Sequence, residues 1–307
     1  MAESPVESFQ GPSFIGLAIN IFMHGLSTLQ MYLYYTYFKK DRLWLKSLVM
    51  IVYLLDTFHC AITTYYIYDV LVINFGNEAS LLRGSWALAA AAPCTGLVSV
   101  AVQHFFAWRV HVLTKYTFVV AAIVLFSLAN LAGSFGAGVS LALNPSVFLV
   151  PDLQVEVTIW LVGAVIADTI IATALVWHLG RHKHLYPALT NTINRILRMT
   201  VQTGLLTTIV AIINLGCYLG NSMGGFAVFS MILAKLYTNC MLSTLNARRA
   251  WKCEGSSDSE ASHGSGDRSG VVEFQPQRTT QPEVFVQVES YQTTDVDEKP
   301  SQGMQYL

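Results

Sequence analysis

Asp56, Asp168 and Lys235 are charged residues standing deep within long apolar stretches of a 307-residue chain. A charge at the centre of a bilayer costs roughly 2.5–3.5 kcal/mol on insertion scales, so such groups face a protein interior and pair. Three kinds of chemistry suit them: an ion pair holding helices together, coupling charges for a moving proton or solute, or a polar anchor for a ligand. The plainest of these is the structural ion pair, because buried polar groups often serve architecture. His59 follows Asp56 by three residues and Asn239 follows Lys235 by four. On helices those spacings put each on its neighbour's face. Asp56, His59, Asp168, Lys235 and Asn239 therefore form the candidate intramembrane polar cluster. Asn20, His24, Gln30, Gln103, His104, Asn130 and Asn214 could extend it into a hydrated cavity. Each alone is more simply an interhelical hydrogen bond.

The elements that must position these residues follow from composition. The chain is 53% hydrophobic and 12% charged, about half the charge of a soluble domain. Seven apolar stretches, at about 13–38, 44–68, 86–113, 117–143, 153–179, 196–219 and 224–246, each supply the roughly 20 residues that cross a bilayer as helix. Helices are expected because lipid offers the backbone no partners. The predicted fold is an all-α, seven-transmembrane-helix bundle. Counted from the cation-bearing ends at 1.5 Å per residue, Asp56 lies ~18 Å deep, and Asp168 and Lys235 ~16 Å each. All three fall near the middle of a hydrocarbon core ~30 Å thick.

Orientation follows from the loops. Lys39, Lys40, Arg42, Lys46, Arg109, Lys115, Arg181, Lys183, Arg195, Arg198, Arg248, Arg249 and Lys252 fall on one side, and Arg83 on the other. An excess of Lys and Arg in short loops marks the cytoplasmic face. The expected organisation is an extracellular segment at 1–12, a membrane domain at 13–252 and a cytoplasmic tail at 253–307. The tail is polar and poor in large apolar groups, so disorder is expected there. The expected site is a multi-pass location in the plasma membrane, with an endomembrane as the alternative.

Smaller features carry their own expectations. Cys253 follows the basic Arg248-Arg249-Ala250-Trp251-Lys252 run and is a candidate lipidation site. Ser257, in Ser257-Asp258-Ser259-Glu260, is a candidate phosphorylation site. His178, His182 and His184 lie among cations, where a lipid-attracting patch is the plainer reading than a metal site. In the fourth stretch Gly133, Ser134, Ala137 and Gly138 place small residues four apart, which lets helices approach closely within the bundle. Homodimerisation is the weaker explanation. A lysine deep in the seventh stretch suits retinal Schiff-base chemistry, yet Lys235 lacks the acid one turn before it seen in microbial rhodopsins. No cofactor, metal or catalytic residue is expected, and no enzyme, since no nucleophile–base pair or metal constellation is legible. The expected partners are the lipid bilayer, a small-molecule ligand and a cytosolic protein reading the tail; nucleic acid is not among them.

Several phrases in combination resemble one family. They are Gly25-Leu26-Ser27-Thr28-Leu29-Gln30-Met31-Tyr32, Tyr53-Leu54-Leu55-Asp56-Thr57-Phe58-His59, Gln103-His104-Phe105-Phe106-Ala107-Trp108-Arg109-Val110 and Ala167-Asp168. The longest is Lys235-Leu236-Tyr237-Thr238-Asn239-Cys240-Met241-Leu242-Ser243-Thr244-Leu245-Asn246-Ala247-Arg248. Over about residues 13–250 the chain resembles a seven-helix family of mushroom-forming fungi catalogued as domain of unknown function 6534. The resemblance implies a fungal integral membrane protein and brings no activity, ligand or site residue with it. The expected function is receptor-like or sensory, with a ligand at the polar core biasing helix packing. A small-solute or proton transporter using Asp56, Asp168 and Lys235 is the alternative, and a structural membrane protein without ligand the third.

Overall fold

The structure, a computed structural model, describes residues 5–75, 77, 85–143, 154–181 and 204–249. All of them belong to one compact unit. The chain runs through α1 (Pro5–Tyr37), α2 (Leu43–Tyr68), α3 (Trp86–Thr114), α4 (Thr117–Leu143), α5 (Gln154–Arg181), α6 (Gly204–Leu219) and α7 (Met223–Asn246). A π-helical turn, Asp69–Ile73, extends α2, and a 3-10 turn, Ala247–Arg249, ends α7. Among the described residues there is no strand.

Six of these helices, all but α6, are long and apolar enough to cross a membrane. The expected start of the sixth span, at 196, lies outside the described residues. Helix α1 begins earlier than expected, with Pro5 at its first position. Proline suits that position, where its missing N–H would have no helical partner anyway. Large apolar side chains point outward along several helices, among them Phe14, Phe22, Leu54, Phe58, Leu125 and Ile209. Such a surface suits a lipid bilayer, and with the helix lengths it marks a multi-pass membrane protein.

Helix α7 is central. Seventy-two per cent of its apolar window is buried, against 28% for α1 and α4. Its consecutive residues Ala234 to Thr238 are all buried, so every side of the helix meets protein. It packs against α1, α2 and α3, while α3 also touches α2, α4 and α5. Helix α1 is stitched to α7 by three asparagine amides. Asn20 donates to the Met231 carbonyl at 2.6 Å, Asn239 to the Met23 carbonyl at 3.1 Å, and Asn246 to the Gln30 carbonyl at 2.8 Å. At the basic end, Arg248 pairs with Asp41 at 2.6 Å and lies 4.5 Å over the Phe38 ring.

The small residues of α4 face neighbours inside the bundle, as their spacing predicts. A Cβ on Gly133 would lie 2.5 Å from the Trp160 amide nitrogen of α5, and one on Gly138 would lie 2.5 Å from Pro93 Cγ of α3. Two tight links fix the helix order: Lys115 takes a left-handed conformation (φ 58°) between α3 and α4, and Asn221 (φ 56°) does so between α6 and α7.

Candidate functional site

Asp56 and Lys235 are both fully buried and meet directly. Asp56 stands on the inward face of α2, among Val49, Val52, His59, Cys60 and Thr63. Lys235 Nζ lies 2.9 Å from Asp56 Oδ1 and also donates to the Asp56 main-chain carbonyl. The other carboxylate oxygen, Oδ2, is 2.9 Å from His24 Nδ1 of α1. His24 stacks on the Tyr53 ring at 5.7 Å between centroids, and Tyr53 shares a hydroxyl–hydroxyl hydrogen bond with Thr28. One carboxylate thus ties α1, α2 and α7 together. Sequence reasoning placed His24 only among the scattered polar groups; no spacing rule links it to Asp56, which is on another helix.

Asp168 does not share this pair. Its Oδ1 accepts from Gln103 Nε2 at 2.9 Å and its Oδ2 from the Tyr237 hydroxyl at 2.6 Å. Gln103 Oε1 accepts in turn from Asn130 Nδ2, which also donates to Ser99 Oγ. The single cluster expected from depth is therefore two networks, one on each side of α7. Two residues along a helix rotate the side chain by ~200°, so Lys235 faces α1 and α2 while Tyr237 faces α5. Tyr237 was missed from sequence because a tyrosine in an apolar helix reads as packing. The only available signal was its two-residue offset from Lys235.

Tyr237→Phe removes a donor from a carboxylate that is 5% exposed. A buried acceptor left unsatisfied costs about 1–3 kcal/mol, so thermal unfolding of the purified variant is expected to fall by that much. A loss below about 0.5 kcal/mol, the usual spread for a neutral surface change, means that the network holds nothing.

Asn239 keeps close company with Lys235 without touching either carboxylate. Its amide donates to Met23 O, Ser27 Oγ and Lys235 O, so it joins α7 to α1. His59 stands apart from the ion pair. It is 1% exposed, and its buried Nδ1 has no hydrogen-bond partner.

His59 instead lines a cavity of about 100 Å³ in the half of the bundle away from the basic loops. Its wall is mainly apolar, with Leu88, Ala92, Leu141, Trp160 and Met231 among the contributors. Thr63, Thr95 and Ser230 also reach it, but their hydroxyls already donate to His59 O, Ala91 O and Asn214 Oδ1. A second space of about 10 Å³ touches Asp168, Gln103, Tyr237 and Thr207, room for about one water. Lys235 lines neither of the two. It is held in a fully buried ion pair, whereas the histidine one turn from Asp56 lines the larger cavity together with Thr63, Thr95 and Ser230.

Among the described residues no group of three or more His, Cys, Asp or Glu could hold a metal. Cys253 and Ser257 lie outside the described residues, as do His182 and His184.

No curated protein and no solved structure matches the chain. Residues 164–250, from within α5 to just past α7, match the model of a family of unknown function (DUF6534), a stretch that contains Asp168, Lys235, Tyr237 and Asn239 but neither Asp56 nor His59.

Proposed function

We propose that this chain is a receptor-like or sensory membrane protein, oriented with its N-terminus outside and its C-terminus in the cytoplasm. In that orientation the cavity at His59 belongs to the outer half, and a ligand entering it changes how α1, α2 and α7 pack around the Asp56–Lys235 pair. The basic inner loops and residues 253–307 then present the change to a cytosolic partner. The observation that supports this reading is the cavity itself. It is apolar, holds about 100 Å³, and is lined by a residue one helical turn from an ion pair that binds three helices together. Ligand sites are commonly concave and apolar with few placed polar groups.

Transport is the second reading. It is favoured by the chain of polar side chains from Ser99 through Asn130, Gln103 and Asp168 to Tyr237, which ends at a water-sized space.

One reconstitution separates the readings. Protein in liposomes carries spin labels at the exposed Leu43 and Phe118 positions, at the starts of α2 and α4, and a pH dye is trapped inside. Ala92→Leu partly fills the cavity and imitates occupancy. The receptor reading expects a shifted label distance in Ala92→Leu and no proton flux. Flux that Lys235→Met abolishes, with unmoved labels, establishes transport instead. Neither a shift nor a flux leaves a structural membrane protein.

A further inference from the structure

We propose that Asp168 is a proton-binding site: in the folded bundle its carboxyl is a neutral acid, whereas Asp56 is ionised. The proposal goes beyond the receptor and transport readings and stands whichever of them holds.

The two aspartates have opposite surroundings. Asp56 meets the Lys235 ammonium at 2.9 Å and the His24 ring at 2.9 Å. Asp168 is 5% exposed near the midpoint of α5, and its oxygens meet an amide and a phenol. These are Gln103 Nε2 at 2.9 Å and the Tyr237 hydroxyl at 2.6 Å, both neutral. Among the described residues Asp168 forms no ion pair. Lys235 does not serve it, because its Nζ is held by the Asp56 carboxylate and main-chain carbonyl.

Every helix packed around Asp168 supplies hydrogen bonds or apolar contact without positive charge. Gln103 comes from α3 with Asn130 of α4 behind it, Gly204 and Thr207 from α6, and Tyr237 and Cys240 from α7. Of these only Tyr237 and Cys240 titrate, and neither gains positive charge by doing so. His104, next to Gln103 on α3, is turned to the Val100 carbonyl and to Ser127 of α4. Neither α4 nor α6 carries a lysine, arginine or histidine. On α5 itself Glu156, His178 and Arg181 lie toward the two ends.

A lone ionised carboxylate in such surroundings is expensive, and the group takes up a proton instead. A protonated carboxyl still accepts through its remaining lone pairs, so Gln103 and Tyr237 keep their places. A metal ion is the other source of positive charge, but it needs several oxygen ligands around it. The space touching Asp168 is about 10 Å³, room for about one water.

The test uses the full chain. Infrared spectra in nanodiscs at neutral pH are compared between the wild type and Asp168→Asn. The difference is expected to contain the C=O band of a carboxylic acid, shifted in heavy water. Asp168→Glu is expected to keep an acid band at an altered position, which supplies the assignment if Asp168→Asn folds poorly. Reversible unfolding in mixed micelles reads the same proton a second way. In the unfolded chain an aspartate ionises at about pH 4, so above that pH the folded wild type binds one more proton. Its folding constant is expected to fall relative to that of Asp168→Asn by about tenfold per pH unit from about pH 5 to 7. Carboxylate bands in place of the acid band at neutral pH overturn the proposal. So does a flat or rising ratio of the two folding constants across that range. Stabilisation of the wild type by sodium chloride over choline chloride, lost in Asp168→Asn, overturns it too and assigns the site to a metal ion.

Discussion

Lys235→Met is expected to destabilise the folded bundle by about 3–5 kcal/mol, the usual consequence of removing one partner from a buried ion pair. The loss arises because Asp56 would remain fully buried with only His24 beside it. Asp56→Leu is expected to cost a similar amount by stranding the Lys235 ammonium. The combined Asp56→Leu, Lys235→Met variant is expected to recover most of the loss, because apolar residues of similar volume often replace such pairs without penalty. Reversible unfolding in mixed micelles gives the four values of the cycle. A double variant whose loss equals the sum of the two single losses means that the side chains act independently, and the pair then contributes nothing as a pair. Asp168→Leu is absent from this cycle by design. Its partners Gln103 and Tyr237 are neutral, so its loss should add to that of Lys235→Met without coupling.

The second large effect comes from a position with no polar group. Gly133→Ala places a Cβ 2.5 Å from the Trp160 amide nitrogen, 2.7 Å from the Glu156 carbonyl oxygen and 2.9 Å from Trp160 Cα. All three neighbours are backbone atoms, which cannot swing aside as a side-chain tip can. Helices α4 and α5 must move apart, and overpacking of this kind typically costs 1–3 kcal/mol or more. Gly25→Ala is the control, since nothing lies within 4 Å of its added carbon. There the better helix former should be neutral or stabilising by up to about 1 kcal/mol. Unfolding midpoints of the two variants, measured side by side, check the contrast. If Gly133→Ala behaves like Gly25→Ala, the close α4–α5 approach is not required for folding. Because this contact is within one chain, the same small-residue stripe supplies no surface for a second copy at Gly133.

Much of this architecture is legible in the linear chain. Lipid imposes one long apolar run per crossing, so the limits of α2, α3, α4, α5 and α7 are readable to within about two residues. Departures occur where that constraint is weak. Helix α1 runs on to Pro5 through a polar flank, because a helix once begun extends without needing an apolar side chain at each step. The depth of the three charges also follows from counting residues at a fixed rise. Their partners do not. Depth fixes height along the bundle normal and leaves azimuth free, and Lys235 meets Asp56 rather than Asp168 because of how α7 is rotated.

The chain by itself determined a multi-pass helical membrane protein with polar groups set within its apolar helices, since those features depend on local composition alone. Only the tertiary structure divided Asp56, His24 and Lys235 from Asp168, Gln103 and Tyr237. It alone put His59, rather than Lys235, against a cavity. The reason is rotational: helices of this kind are apolar on nearly every side, so no amphipathic stripe states which face looks inward. Packing decides it, through small residues such as Gly133 and Gly138 that permit some approaches and through side chains that forbid the others.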